Sequence, residues 1–440
     1  MNSPLDVSRL IDDRPVSAFQ WQVFITCMAV AFMDGLNLQT IGVAAPALSA
    51  LWGIPRPALG PVFAAAPMGM IIGALIMGPL ADRVGRKRLI VAATVFFGVF
   101  SLATPLATTL PQMMMMRLLT GMGLGGALPN LISVITEYSP AKRRGFLTTL
   151  TFSSLPVGST LAGVVGPWMI PAYGWQSVFY MSGIISLLVA VIALIWLPES
   201  LRYLANHPDR RTQALAIVSR IAPEVALNAD TTITTSGPPS TKGVSVARLF
   251  GPNRTSATLT LAFIVGTNLF MINLLVNWLP TLLNQAGLSR SGAILSTAVL
   301  NITGAVGGIV WGTLMDRFGT HRVMGLAGLA SGLAMVGLAF GHSHPSVLIT
   351  ALSVVGWCVM GTQPGFYTLI ASVYPTTIRS TGVGTSLGIG RLGSVFGPAV
   401  GGLLVAAGLD AQGIFLVVAC AGVLCALAVA YLSQLRPNFS

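Results

Sequence analysis

Three ionisable residues lie where this chain has little water to offer them. Asp34 sits in "FMDGLNLQTIGVAAPAL", Arg117 follows a run of four methionines, and Arg391 lies in "GIGRLGSVFG". A carboxylate in apolar surroundings either stays protonated or faces a polar cavity. Both conditions suit a group that takes up and releases a proton. An arginine cannot shed its proton, so it needs an anion or water. For Arg117 the candidates are Asp34 or a substrate carboxylate. Arg391 is set among Gly388, Gly390, Gly393 and Ser394, small residues that leave room for a ligand or a close neighbouring helix. A fixed guanidinium in a central cavity is a natural counter-ion for a carboxylate. Plainer readings compete: a helix–helix hydrogen bond for Asp34 and an interhelical salt bridge for Arg391.

Composition says what must carry these residues. The 440 residues are 54% hydrophobic and 8% charged, whereas soluble domains carry about 25% charged residues. Apolar runs long enough to cross a hydrocarbon core of ~30 Å recur along the whole chain. Twelve are found, at about 21–48, 58–80, 89–109, 112–136, 146–170, 176–197, 256–284, 291–314, 323–341, 346–372, 381–407 and 411–433. In lipid the backbone must satisfy its own hydrogen bonds, so these runs are helices, numbered α1–α12 in chain order. A barrel would show short alternating segments instead. The fold class is therefore an all-α integral membrane protein with twelve transmembrane helices. Asp34 lies ~20 Å along α1 at about 1.5 Å per residue, near the midplane, and Arg391 is at a similar depth in α11.

The first run follows Asp12, Asp13 and Arg14 and lacks a small-residue cleavage site, so it does not read as a cleavable signal. Cys27, Cys358, Cys420 and Cys425 all fall in apolar runs and form no CxxC pair; they read as packing residues. The net charge of +12 invites a nucleic-acid reading. Its distribution argues against one. Basic residues gather in alternate connections, at Arg83, Arg86, Lys87 and Arg88, at Lys142–Arg144, from Arg202 to Arg254, at Arg317 and Arg322, and at Arg379. This is the positive-inside pattern. It places both termini and the 198–255 connection in the cytoplasm and makes the lipid bilayer, not a polyanion, the partner of the basic excess.

The chain divides into a six-helix half over 1–197, a linker over 198–255 and a second half over 256–440. The linker's middle, "ALNADTTITTSGPPSTKG", has the composition of a mobile tether. The halves repeat. "GPLADRVGRKRLIVAAT" parallels "WGTLMDRFGTHRVMGLA", "YSPAKRRG" parallels "YPTTIRSTG", and α5 and α11 share Gly-Pro at Gly166-Pro167 and Gly397-Pro398. Such a repeat is the layout of many secondary transporters.

These motifs carry a family resemblance. "GPLADRVGRKR" resembles the loop 2–3 signature of the major facilitator superfamily, "RLLTGMGLGGALPN" its helix 4 motif and "LPESLRYL" the end of its helix 6. More narrowly, "DGLNLQTIGVAAPAL" with "YPTTIRSTGVGTSLGIGRLGSVFGP" resembles the aromatic acid:proton symporters. The resemblance implies two pseudo-symmetric six-helix bundles and proton-coupled import of an aromatic carboxylate by alternating access in the inner membrane. It also matches Arg117 to the family's helix 4 arginine. The family has Asp-Gly-x-Asp in helix 1; here Asn37 replaces the second acid, so coupling rests on Asp34 or moves elsewhere.

Around this centre the sequence offers further candidates. Glu137, at the end of α4, joins Asp34 and Arg117 as a proton-coupling residue. Asp34, Asn37, Arg117 and Arg391 are candidate substrate ligands. Phe270, Asn273 and Asn277 share one face of α7. Gln363, Phe366 and Tyr367 are expected to share one face of α10, beside Pro364 and Gly365, which break helix regularity. An aromatic acid wants rings to stack on and amides for its substituents, although ordinary packing explains each residue singly. Trp278 is expected to anchor at the membrane interface. Asp82, Arg83, Arg86 and Arg88, with Asp316, Arg317, His321, Arg322 and Arg379, are expected to form charge networks that close the inward mouth. Positive-inside signalling alone accounts for the bases but not the acids.

Several classes are excluded. Gly121-x-Gly123-x-Gly125-Gly126 matches a dinucleotide fingerprint in letters only, because no strand precedes it. There is no GxxxxGK[ST] or HExxH, and Gly384-Thr385-Ser386-Leu387-Gly388 matches GxSxG in letters only, lying inside an apolar run with no strand before it, so no ATP drive, metal, other cofactor or enzymatic site is expected. The protein reads as a monomeric transporter whose partners are protons and a small aromatic acid. An efflux antiporter for amphipathic compounds is the alternative, although such a pump needs no fixed central cation.

Overall fold

The structure, a computed structural model, describes residues 5–225, 233–234, 249–250, 255–341, 345–374 and 379–435. All twelve expected helices are present, each long and apolar enough to span a membrane. α1 runs over Ala18–Trp52. It starts at a capping box, in which Gln20 N–H donates to the Ser17 hydroxyl and Ser17 N–H donates to the Gln20 side chain, and it stops at Gly53. The other helices of the first six are α2 (Leu59–Val84), α3 (Arg86–Ala103), α4 (Leu110–Tyr138), α5 (Arg144–Phe152 and Ser154–Tyr173) and α6 (Gln176–Trp196). The last six are α7 (Thr255–Gln285), α8 (Arg290–Phe318), α9 (Thr320–Gly341), α10 (Pro345–Val355, a π-helical turn Gly356–Met360, then Gln363–Val373), α11 (Arg379–Gly390 and Leu392–Ala406) and α12 (Ala411–Gln434). Among the described residues, one strand pair joins Leu5–Asp6 to Ile233–Thr234. Apart from those two residues, the linker's polar middle lies outside the described residues.

Twelve spans put both ends of the chain and the linker on one face, called here the linker face. The two sets of six helices meet through α1 with α7, α2 with α11 and α5 with α8. All three meetings lie towards the opposite face. Gln39 of α1 donates to the Val276 carbonyl of α7 at 3.3 Å, Gly60 at the start of α2 abuts Gly402 near the end of α11, and Gly163 of α5 abuts Thr297 and Ala298 of α8. Among the described residues the halves are thus closed at the far face and part towards the linker face. Trp278 belongs to this closure. It is fully buried, donates from Nε1 to the Pro398 carbonyl at 2.9 Å, and meets Phe63 of α2 edge-on at 5.2 Å. The interface anchor expected from its helix-end position is therefore a wedge between the halves.

Two helices are held at backbone contact where they carry the central charges. A Cβ at Gly35, next to Asp34, would run into the Leu155 backbone of α5, and a Cβ at Gly393, two residues from Arg391, would run into the Gly266 backbone of α7. The glycine run of α4 makes a similar seam, Gly121 and Gly125 lying on α2, which is the small-residue packing its sequence suggested.

Gly393→Ala should therefore force α11 away from α7 and lower stability by about 1–3 kcal/mol. Gly312→Ala, whose Cβ would meet no atom within 4 Å, should lose nothing. Thermal unfolding of the two purified variants checks this. Equal melting temperatures would show that the seam is not close-packed.

Candidate functional site

Asp34 is 2% exposed, and neither carboxylate oxygen has a hydrogen-bond partner. The charge of Arg391, from the other half, acts on it. Arg391 sits at the break in α11, between Gly390 and Leu392. It is half-buried, and its charge is also felt at Tyr367 of α10. Tyr367 is 38% exposed and accepts a hydrogen bond from Gln363 Nε2 at 2.9 Å. The structure thus gathers Asp34, Arg391, Tyr367 and Gln363 at mid-depth, where the halves begin to part.

The disrupted turn of α10 positions the last two. A π-turn frees carbonyls from the helical ladder, and in lipid each needs another donor. Three neighbouring helices supply them. Asn268 of α7 donates to the Val359 carbonyl at 3.2 Å, Trp311 of α8 to that of Trp357 at 3.0 Å, and Ser331 of α9 to that of Cys358 at 2.6 Å. The irregularity thus begins upstream of Pro364 and Gly365. Within the helical segment Gln363–Val373 the residues expected on one face divide: Phe366 is buried in the core of the second half, while Gln363 and Tyr367 lie clear of it.

Arg117 occupies a different place. It is fully buried, donates from Nη1 to the Thr40 hydroxyl at 3.2 Å, and lies over the Phe179 ring of α6 at 5.3 Å. Its Nε and Nη2 have no partner. Asn37, close by on α1, turns its amide to α6, donating to Ser186 Oγ at 3.0 Å and back to the Met33 carbonyl at 2.8 Å. Its own oxygen is left unpaired. Arg117 and Asn37 therefore sit inside the first six helices, against α6. Phe270 is half-buried on α7. Asn273 and Asn277 are buried and bond up their own helix, to the carbonyls of Leu269 and Asn273.

Glu137 lies at the linker face, remote from Asp34. It pairs with Arg86 and accepts from the Ser200 hydroxyl at 2.6 Å. Glu199 completes the cluster by accepting Lys87 N–H at 3.1 Å, and Tyr203 donates to the Arg83 carbonyl at 3.3 Å. This network ties the α2–α3 turn to the ends of α4 and α6. Glu199, Ser200 and Tyr203 were not among the residues singled out from sequence, although all lie in the quoted "LPESLRYL". The second-half copy differs. Val373 stands where the repeat puts Glu137, His321 lines a cavity with Ser372 and Val373, and Arg317 and Arg322 are exposed, as is Arg88 in the first half. The side chains of Asp82, Asp316 and Arg379 lie outside the described residues.

The family model of the Major Facilitator Superfamily matches residues 27–310 and 258–439. The chain belongs to this superfamily. It is a multi-pass membrane transporter and not an enzyme. It is 36% identical to the gallate transporter of Pseudomonas putida over 98% of this chain and 95% of that one. It is 38% identical to the 4-hydroxybenzoate transporter PcaK of Pseudomonas putida over 92% and 90%. Among solved structures, the xylose transporter XylE of E. coli in a partially occluded inward open conformation superposes with a TM-score of 0.74, covering 96% of this chain and 100% of that one at 19% identity. That likeness speaks to fold.

Neutralising Glu137 removes its charged hydrogen bond with Arg86 at a half-buried site. Glu137→Gln should cost about 1.5–3 kcal/mol, the range for hydrogen bonds to charged groups, whereas Arg317→Gln in the second-half copy should cost nothing measurable. Thermal unfolding of both variants decides between a first-half lock and a symmetric pair of them.

Proposed function

We propose that the protein imports aromatic carboxylates across the inner membrane together with protons, by alternating access, as a monomer. The carrying observation is a buried, unpartnered intramembrane carboxylate, Asp34, within electrostatic reach of a fixed cation, Arg391, of the other half. Arg391 takes the substrate carboxylate. Asp34 carries the proton, because a protonated acid crosses the occluded stage without an unpaired charge. The gallate and 4-hydroxybenzoate transporters among its relatives support the substrate class, and the basic linker-face loops support cytoplasmic termini. The halves, 1–197 and 256–440, are the moving bodies, joined by 198–255. Parted helices at the linker face correspond, on this reading, to an inward-open state. Glu137 with Arg86 keeps the first half rigid during the movement, and Arg117 holds α1, α4 and α6 together behind Asp34.

The decisive experiment compares net uptake with counterflow exchange of a labelled aromatic acid in proteoliposomes. Asp34→Asn fixes the neutral form. It should abolish accumulation driven by a pH gradient and retain part of the exchange, which needs no return of an empty, deprotonated carrier. Accumulation at the wild-type level would return Asp34 to a structural role.

Arg391→Lys keeps the charge but loses the planar fork that binds a carboxylate through two hydrogen bonds. Affinity for the acid should fall about tenfold or more, the equivalent of 1.4 kcal/mol. Affinity for the corresponding neutral amide should hardly change. Equal losses for acid and amide would show that Arg391 serves the fold and not the ligand.

A further inference from the structure

We propose that Gln363 and Tyr367 form a subsite that reads a hydroxyl on the aromatic ring, so that ring-hydroxylated acids are taken in preference to benzoate. The inference rests on the assignment of Arg391 to the substrate carboxylate. Tyr367 feels the Arg391 charge, so a ligand held by the guanidinium has the tyrosine within its surroundings.

The argument is a count of donors and acceptors. Gln363 Nε2 donates to Tyr367 Oη at 2.9 Å. That bond uses one amide hydrogen and one lone pair of the phenol. It leaves the Tyr367 O–H free to donate and the Gln363 carbonyl oxygen free to accept. A phenolic hydroxyl on a ligand needs both, since it donates once and accepts at least once. The pair therefore presents the complement of a hydroxyl, not of a carbon–hydrogen edge. An acid lacking the hydroxyl would strip water from both groups and return nothing, and sites built to bond a hydroxyl discriminate strongly on that account.

Two further observations favour a ligand role over an ordinary helical pair. Tyr367 is 38% exposed although it lies in a membrane span. And the chain just before Gln363 is fixed from three sides, by Asn268, Trp311 and Ser331 bonding the carbonyls of the π-turn. A rigid support is what a polar subsite needs to hold its donors in place.

The test is competition against labelled 4-hydroxybenzoate uptake by the full-length protein in proteoliposomes, with benzoate, 4-methoxybenzoate and 3-hydroxybenzoate as competitors. The wild type should prefer a hydroxybenzoate to benzoate by about tenfold or more. The methoxy acid, which accepts but cannot donate, should fall between. Tyr367→Phe and Gln363→Leu should each lower affinity for the hydroxylated acid more than for benzoate, closing the ratio towards one. Equal affinities for hydroxylated acids and benzoate in the wild type would overturn the subsite and leave the proposed function standing. Equal losses for both acids in Tyr367→Phe would also overturn it, as a packing role predicts. If none of the acids competes or is taken up, the proposed function falls, and the subsite with it.

Discussion

An ionised side chain inside a hydrocarbon layer must be paired, hydrated or neutralised, and the cost of leaving it alone is at least ~2.5–3.5 kcal/mol on the most lenient scale. The centre of this protein is organised around that constraint. Asp34 has no hydrogen-bond partner in its own half, and the charge that acts on it belongs to the other half. Neither half therefore holds a complete solution for the carboxylate. Arg117 has a different one: the Thr40 hydroxyl and the face of Phe179 stand in for an anion. A ring face attracts a cation, more so when water is excluded, but it is a weaker partner than a carboxylate. Two nitrogens of Arg117 and the side-chain oxygen of Asn37 are left unpaired.

The same constraint governs the backbone. A helix in lipid can be broken only where other groups satisfy the freed carbonyls. The break in α10 is surrounded by donors from α7, α8 and α9, and the residues just after it point their polar ends clear of the core. The break in α11 falls at Arg391 and is braced by Gly393 against the α7 backbone. Irregular backbone and the candidate functional side chains thus occur together, because the support that makes one tolerable also fixes the direction of the other.

Much of this was legible in the sequence. Twelve apolar runs gave twelve spans because the hydrocarbon thickness sets a length that few other structures need. Asp34 and Arg391 stood out in the sequence for the same reason: charge in an apolar run is rare. What stayed hidden was direction. Periodicity put Phe366 on the face of Gln363 and Tyr367, but residues three and four apart on a helix differ by enough rotation for one to enter a core while the other leaves it. The π-turn, which sets how the whole segment after it faces the rest of the bundle, had no signal in "GWCVM". Trp278 looked like an interface anchor because helix-end tryptophans often are; its burial against Phe63 depends on the other half, which local sequence cannot show. Glu199 was passed over because an acid in a loop ordinarily needs no explanation, although the motif holding it was in view.

The asymmetry of the halves carries the last step. The first half contains the lone intramembrane acid and, at the linker face, the Arg86–Glu137 lock reinforced by Glu199 and Ser200. The second half contains the fixed cation and the irregular α10, and has Val373 where the lock would need an acid. A repeated fold has thus been divided into complementary parts, a titratable group in one half and a permanent charge in the other. On the proposed reading this division is what couples proton to substrate. An anion bound at Arg391 weakens the hold of that cation on Asp34, which favours the protonated acid, and a protonated Asp34 in turn frees Arg391 for the anion. The two effects are one coupling free energy seen from two sides, and reciprocity requires them to be equal. Had acid and cation stood in the same half, they would pair in every state. Placed on opposite halves, their interaction changes as the halves move, and the movement becomes sensitive to both ligands at once.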